Sequence, residues 1–330
     1  MNIRTSLIVF LVAVCSRVGM DAAEIWERTG TFDGEKIGAV ISLGQAGNGN
    51  LFACVNTGAP TYTSTDHGAT WKKSTLPSNN YVNAFATRDS IILAATIKGI
   101  YLSTNHGTTW KLSNTGLTSL IVKSLQFSSN GTLYAGTHDG GIFRSADLGR
   151  TWAPVNTGLS TLRITALMPI DSTTVITATD GEGLFISTNS GDIWKPITAD
   201  VRLNSVRSFA VNSAGAVFAG TDQYGVFRSS TRGDTWDYTT SDITSAVNAL
   251  VCNDQDIYAA TGFNGVYHST DNGTTWVSEN TGIEGNASYS FGINALGQVL
   301  VGANGGAVYR RVTVNGVSES TDAAGQSIDR

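Results

Sequence analysis

One eight-residue turn is written six times into this chain: STDHGATW (Ser64–Trp71), STNHGTTW (Ser103–Trp110), SADLGRTW (Ser145–Trp152), STNSGDIW (Ser187–Trp194), SSTRGDTW (Ser229–Trp236) and STDNGTTW (Ser269–Trp276). Successive copies begin 39, 42, 42, 42 and 40 residues apart. All seven tryptophans keep this frame, one in each copy and Trp26 ahead of the first. A fixed period of this length marks a structural unit that cannot bury its apolar face alone and must pack against copies of itself.

Each period divides into four short β-like runs. In the third unit these are residues 121–127 (a), 132–137 (b), 141–145 (c) and 151–155 (d), separated by Ser-Ser-Asn-Gly, His-Asp-Gly and the repeated turn. Run a recurs seven times, near residues 37, 80, 121, 163, 204, 245 and 287. Run c also recurs seven times, with Tyr62, Tyr101, Phe143, Phe185, Phe227, Tyr267 and Tyr309 at one aromatic position. Four-stranded antiparallel units of about 40–45 residues, arranged radially, are blades of a β-propeller. A ring hides the sheet edges that a linear array would expose. The last unit has a, b and c but no following turn or Trp, whereas Glu24–Arg28 around Trp26 has no a, b or c before it. The expectation is therefore an all-β, seven-bladed propeller over residues 24–313, its last blade closed by the N-terminal strand.

The repeated turn has a structural chemistry. Its third position is Asp66, Asn105, Asp147, Asn189, Thr231 or Asp271, side chains that accept hydrogen bonds from backbone N–H groups ahead of them. Its fifth position is always Gly, which reaches φ > 0 cheaply. Trp71, Trp110, Trp152, Trp194, Trp236 and Trp276 then enter strand d and fill the space between blades. Asn and Thr stand in for Asp, so no proton-donating carboxylate is required at this position. This turn resembles the Asp-box (BNR) repeat of sialidases, sortilin-type receptors, two-propeller xyloglucanases and seven-bladed photosystem II assembly factors. The resemblance runs from Trp26 to about Arg311, and it speaks to fold far more than to function.

Antiparallel order puts the a–b and c–d turns on one face and the b–c and d–a loops on the other. By analogy with other propellers, the second face is the candidate ligand face. Its loops carry Asp33, Glu35, Asp139, Asp180, Glu182, Asp200, Asp222, Asp242 and Glu284 against Lys36, Lys98, Arg163 and Arg202. The loops HDGG (138–141), DGEG (180–183) and DQYG (222–225) would gather His138, Asp139, Asp180, Glu182, Asp222 and Tyr224 in one sector, beside Arg163 and Arg202. Such a groove suits sugars, peptide amines or a cation, and ordinary solvated turns would read the same way. If the chain were a glycosidase, Asp180, Glu182, Asp222 and Tyr224 would be its catalytic set. The arginine-bearing segment expected of sialidases is missing, since Leu162-Arg163-Ile164-Thr165 lacks its aromatic residue and proline.

Composition narrows the partners. The net charge of −5 gives no electrostatic basis for holding nucleic acid. The four histidines, His67, His106, His138 and His268, fall in different units, so no metal site and no cofactor is expected. Residues 1–23 read as an export signal with cleavage between 16 and 23, Cys15 being a poor lipoprotein cysteine after Val14. No other run approaches the ~18 apolar residues of a membrane span. Cys54 and Cys252 sit in apolar runs and read as small buried hydrophobes. Residues 314–330 read as a disordered tail or linker. The resulting expectation is a secreted, periplasmic or cell-surface monomer that binds a protein or glycan without catalysis. A glycoside hydrolase and a purely structural surface repeat are the alternatives.

Overall fold

The computed structural model describes residues 23–30, 32, 38–57, 60–77, 81–197, 200–239 and 243–314. The leader, the tail, and Asp33, Glu35, Lys36 and Asp242 lie outside them.

Residues 25–312 form one compact unit of seven antiparallel four-stranded sheets. The innermost strands, a, of blades 1 to 7 are Val40–Gln45, Val82–Arg88, Val122–Phe127, Ile164–Pro169, Val206–Val211, Val247–Asn253 and Ser288–Ile293. Strand b of each blade is its driest: Leu51–Val55, Leu133–Thr137, Val175–Thr179, Val217–Thr221 and Val299–Ala303 are buried at every position. The predicted aromatic column is real. Phe143 sits opposite Ala135, Phe227 opposite Ala219 and Tyr267 opposite Ala259, so that a small residue on b makes room for the ring on c.

Strand d in blades 1 to 6 is only two residues long, as in Lys72–Lys73, Ala153–Pro154 and Lys195–Pro196, and each Trp stands just before it. Short edges with lysine and proline resist pairing with another chain. In blade 7 the order is Ser288–Ile293, Val299–Ala303, Ala307–Val314 and then Ala23–Arg28, so the N-terminal strand closes the ring. Trp26 and Tyr309 share one apolar cluster, and Thr29 N–H donates to Val308 O at 2.9 Å.

A second repeated element joins neighbouring blades, and it was not singled out from the sequence. Asn-Thr-Gly follows strand d at 114–116, 156–158 and 280–282. Its Asn Oδ1 accepts the backbone N–H of Ile100, Ile142 or Val266 at 2.7–2.8 Å, steadying the start of strand c in its own blade. Its Thr carbonyl accepts the N–H of the next blade's Trp: Thr115 from Trp152, Thr157 from Trp194 and Thr281 from Trp26. Gly is required because a Cβ on Gly282, at φ +95°, would lie 1.9 Å from Trp26 O. Trp26 is thus gripped as the strand-d tryptophans of blades 3 and 4 are.

The closing seam carries a charged cluster as well. Glu279 accepts from Arg311 Nε at 3.0 Å and faces His268 Nδ1 at 3.1 Å, while His268 stacks on Tyr258 with ring centres 4.3 Å apart. Burial alone would raise the Glu279 carboxyl, but His268 and Arg311 outweigh it and hold the group below its usual range. Burial drives the thiols of Cys54 and Cys252 up to about 11 and about 12 respectively; Cys54 is the buried hydrophobe expected, whereas Cys252 is only partly buried.

The Asp-box turns carry out the expected hydrogen bonding. In blade 3, Asp147 Oδ1 accepts Thr151 N–H at 2.9 Å and Oδ2 accepts the Thr151 hydroxyl at 2.6 Å. The opening Ser145 hydroxyl accepts Gly149 N–H at 2.8 Å and donates to Asp147. Where Thr231 replaces Asp, its hydroxyl accepts Thr235 N–H at 2.9 Å, so the geometry survives without the charge. Desolvation opposes ionisation of Asp66 and Asp147, but the Thr and Ser donors prevail and hold both at about 2. A depressed carboxylate contributes stability above its unfolded value, near 3.9, and loses it as pH falls through the folded value. We therefore expect the melting temperature to decline between about pH 4 and pH 2. Asp147→Asn should flatten part of that limb, which calorimetry at stepped pH would read; an unchanged acid limb would contradict the assignment.

Candidate functional site

Each strand a carries a register shift against strand b just after its first residue. The shift is a β-bulge, which turns the extra residue out of the ladder. Those residues, Ile41, Asn83, Lys123, Thr165, Arg207, Asn248 and Tyr289, all line the central channel. They lie at the start of strand a, so they ring the channel mouth on the b–c/d–a face. Loop-to-loop bonds confirm which loops share that face: His138 N–H donates to Ile121 O, Asp180 N–H to Arg163 O and Asp222 N–H to Ser205 O, at 2.9–3.0 Å.

A cavity of about 320 Å³ opens at the mouth, lined by Lys123, His138, Arg163, Ile164, Thr165, Asp180, Arg207 and Asn248. Of the residues expected on this face from the sequence, it gathers His138, Arg163 and Asp180. Asp222 reaches its edge through an ion pair with Arg207 at 2.6 Å, and Arg163 meets Asp180 at 3.5 Å. Lys123 makes no ion pair with any described residue. The others turn elsewhere. Asp139 is taken up by the Ser119 hydroxyl. Arg202 pairs with Asp200 and lies over the Phe227 and Tyr238 rings, 5.2 and 4.6 Å from their centres. Glu182 and Tyr224 are exposed and outside the cavity. The loop count of nine acids to four bases therefore misjudges the mouth, because Lys123 and Arg207 come from strand bulges that a loop inventory passes over.

The bulge ring also ties blade to blade. Asn83 donates to Val122 O, Thr165 to Val206 O and Asn248 to Ser288 O, each to the first residue of the next strand a, at 2.7–2.9 Å. Where the bulge residue is apolar or aromatic, the serine after it takes over: Ser42 donates to Val82 O and Ser290 to Val40 O. Blades 3 and 5 break the pattern. Ser124 and Ser208 occupy the same place as Ser42 and Ser290, yet their buried hydroxyls have no partner among the described residues. Their bulge residues are Lys123 and Arg207.

Five of the ten exposed large hydrophobic side chains among the described residues lie on this face. Ile97, Leu120, Leu162, Tyr224 and Phe263, from b–c and d–a loops, are between 36% and 76% exposed. Among the described residues, no three His, Cys, Asp or Glu side chains group to hold a metal ion. No helix there is long and apolar enough to cross a membrane.

Comparisons agree with the architecture. A BNR/Asp-box repeat model matches residues 62–73, and the DUF6242 beta propeller domain model matches residues 98–205. A search of curated proteins returned no sequence match. Among solved structures, YCF48 bound to D1 peptide is similar at 15% identity and a TM-score of 0.69, covering 89% of this chain and 97% of that one. The extracellular domain of the one-component system BT4673 from B. thetaiotaomicron is 16% identical with a TM-score of 0.69, over 89% of this chain and 40% of that one. The GH74 xyloglucanase from Xanthomonas campestris is 15% identical with a TM-score of 0.66, over 87% of this chain and 53% of that one. The chain is a β-propeller whose turns carry the Asp-box pattern, and likeness at these identities speaks to fold alone.

Proposed function

We propose that this propeller is an exported, non-catalytic binding module whose b–c/d–a face docks a partner protein. The observation that carries the reading is the rim of exposed Ile97, Leu120, Leu162, Tyr224 and Phe263 around a polar mouth. Exposed large apolar side chains around a polar opening suit an interaction surface, and branched aliphatic groups suit protein side chains better than sugar hydroxyls. A similar structure, YCF48, is recorded with a bound peptide. Hydrolysis by Asp180 and Asp222 is the weaker reading. Two-carboxylate hydrolysis needs two carboxyl groups free to face the scissile bond, and each of these is engaged by an arginine. The aromatic faces of Tyr224 and Phe263 favour a glycan as the second reading.

The test compares capture from the native cell envelope by the wild type, by Leu162→Asp/Phe263→Asp, and by Leu296→Asp on the opposite face. Capture should be lost in the double variant and kept in Leu296→Asp. Equal capture by all three, or none by the wild type, would sink the reading, and release of reducing sugar from a glycan panel would replace it with hydrolysis.

A further inference from the structure

We propose that the channel mouth at blades 3 to 5 is a carboxylate-binding site in which Lys123 and Arg207 occupy positions that other blades use to latch their neighbours. The site rests on the binding-face reading for its location and adds the chemistry recognised there. Five of the seven seams between strands a are bridged by an Asn, Thr or Ser side chain, and the seams after blades 3 and 5 are not. In both exceptions the serine that could bridge is present, buried and unpartnered. Two breaches of an otherwise regular scheme, both at a basic residue and both flanking Thr165, are expected where function overrides stability.

The electrostatics point to the ligand. Lys123, Arg163 and Arg207 converge on one cavity with His138 beside them, while Asp180 and Asp222 each answer one arginine. One positive charge remains over, on Lys123, which suits a monoanionic carboxylate better than a dianionic phosphate. Guanidinium and ammonium donors around a carboxylate form charge-assisted hydrogen bonds of the stronger kind. That carboxylate can belong to an acidic partner segment or to a small free acid.

Calorimetric titration of the full chain separates these sources and tests the site. The probes are a capped hexaglutamate peptide, its hexaglutamine counterpart, acetate and inorganic phosphate. Hexaglutamate binding without hexaglutamine binding is the expected result and assigns the site to a partner's acidic segment; acetate binding as tightly assigns it to a free acid. Lys123→Asn and Arg207→Asn, which install the residue that latches blades 2 and 6, should together weaken carboxylate binding at least about tenfold and raise the melting temperature by a few degrees. Binding unchanged in that double variant, a preference for phosphate, or binding by none of the probes would overturn the site. An unchanged melting temperature would overturn the exchange of latch for ligand. Leu296→Asp, on the opposite face, should leave acetate or peptide affinity within about twofold, and because the probes are read without any envelope partner, failure of the docking face and failure of the carboxylate site register separately.

Discussion

Deleting residues 1–30 should bring down the whole ring rather than trim its edge. The segment supplies the outer strand of blade 7, a tryptophan 1% exposed, and bonds to blade 6 and to its own blade: Trp26 N–H to Thr281 O, Trp26 Nε1 to Glu279 O and Thr29 N–H to Val308 O. Loss of one such tryptophan costs about 3–5 kcal/mol. Each hydrogen bond adds about 1 kcal/mol. The truncated chain should therefore lose at least about 6 kcal/mol. At roughly 2–4 °C per kcal/mol for a chain of this size, its melting temperature should fall by upward of about 12 °C. A peptide spanning residues 23–32 added in trans should recover part of the loss, since it can re-enter beside Ala307–Val314. Calorimetry reads both effects. A truncated protein that melts like the full chain would show that blade 7 stands without its fourth strand.

Trp194→Ala should be the most damaging single substitution in the repeat, at about 3–5 kcal/mol. The ring is 2% exposed, and Nε1 donates across the blade boundary to Val155 O at 2.7 Å. Trp110→Ala should cost less than half as much. Its ring is only part-buried and its Nε1 bonds back to Gly107 in its own turn. Trp236 behaves like Trp110, bonding Gly233, and Trp276 Nε1 has no partner among the described residues, so one sequence pattern does not by itself fix the indole's bond. Urea unfolding of the two variants side by side would decide the matter; equal losses would mean that the seam bond contributes nothing beyond ring burial.

The circular architecture was readable because it is written in period. Spacing of the Trp residues, the aromatic column on strand c and the unpaired segment around Trp26 together require seven blades and a borrowed strand. The site was only half readable, for a physical reason. Alternation along a strand assigns faces only while the register holds, and a one-residue bulge re-aims the side chains beyond it. Lys123 and Arg207 were invisible to a survey of loops on that account. Setting the seven a strands in a column would have found them, because Val122-Lys123-Ser124 and Val206-Arg207-Ser208 align with Val40-Ile41-Ser42. Arg202 and Asp139 failed for the opposite reason. Loop position brought them to the right face, but cation–π stacking in one case and a serine hydroxyl in the other claimed their polar groups.

The borrowed strand imposes an order on biosynthesis. A chain made from its N-terminus emits Glu24–Arg28 first, yet the partner for that segment, Ala307–Val314, is made some 280 residues later. Six sheets can form from contacts local in sequence while the chain is still emerging, and the seventh must wait for the last one. Until then the opening segment is an unmatched β-edge, the sort of surface that chaperones exist to guard.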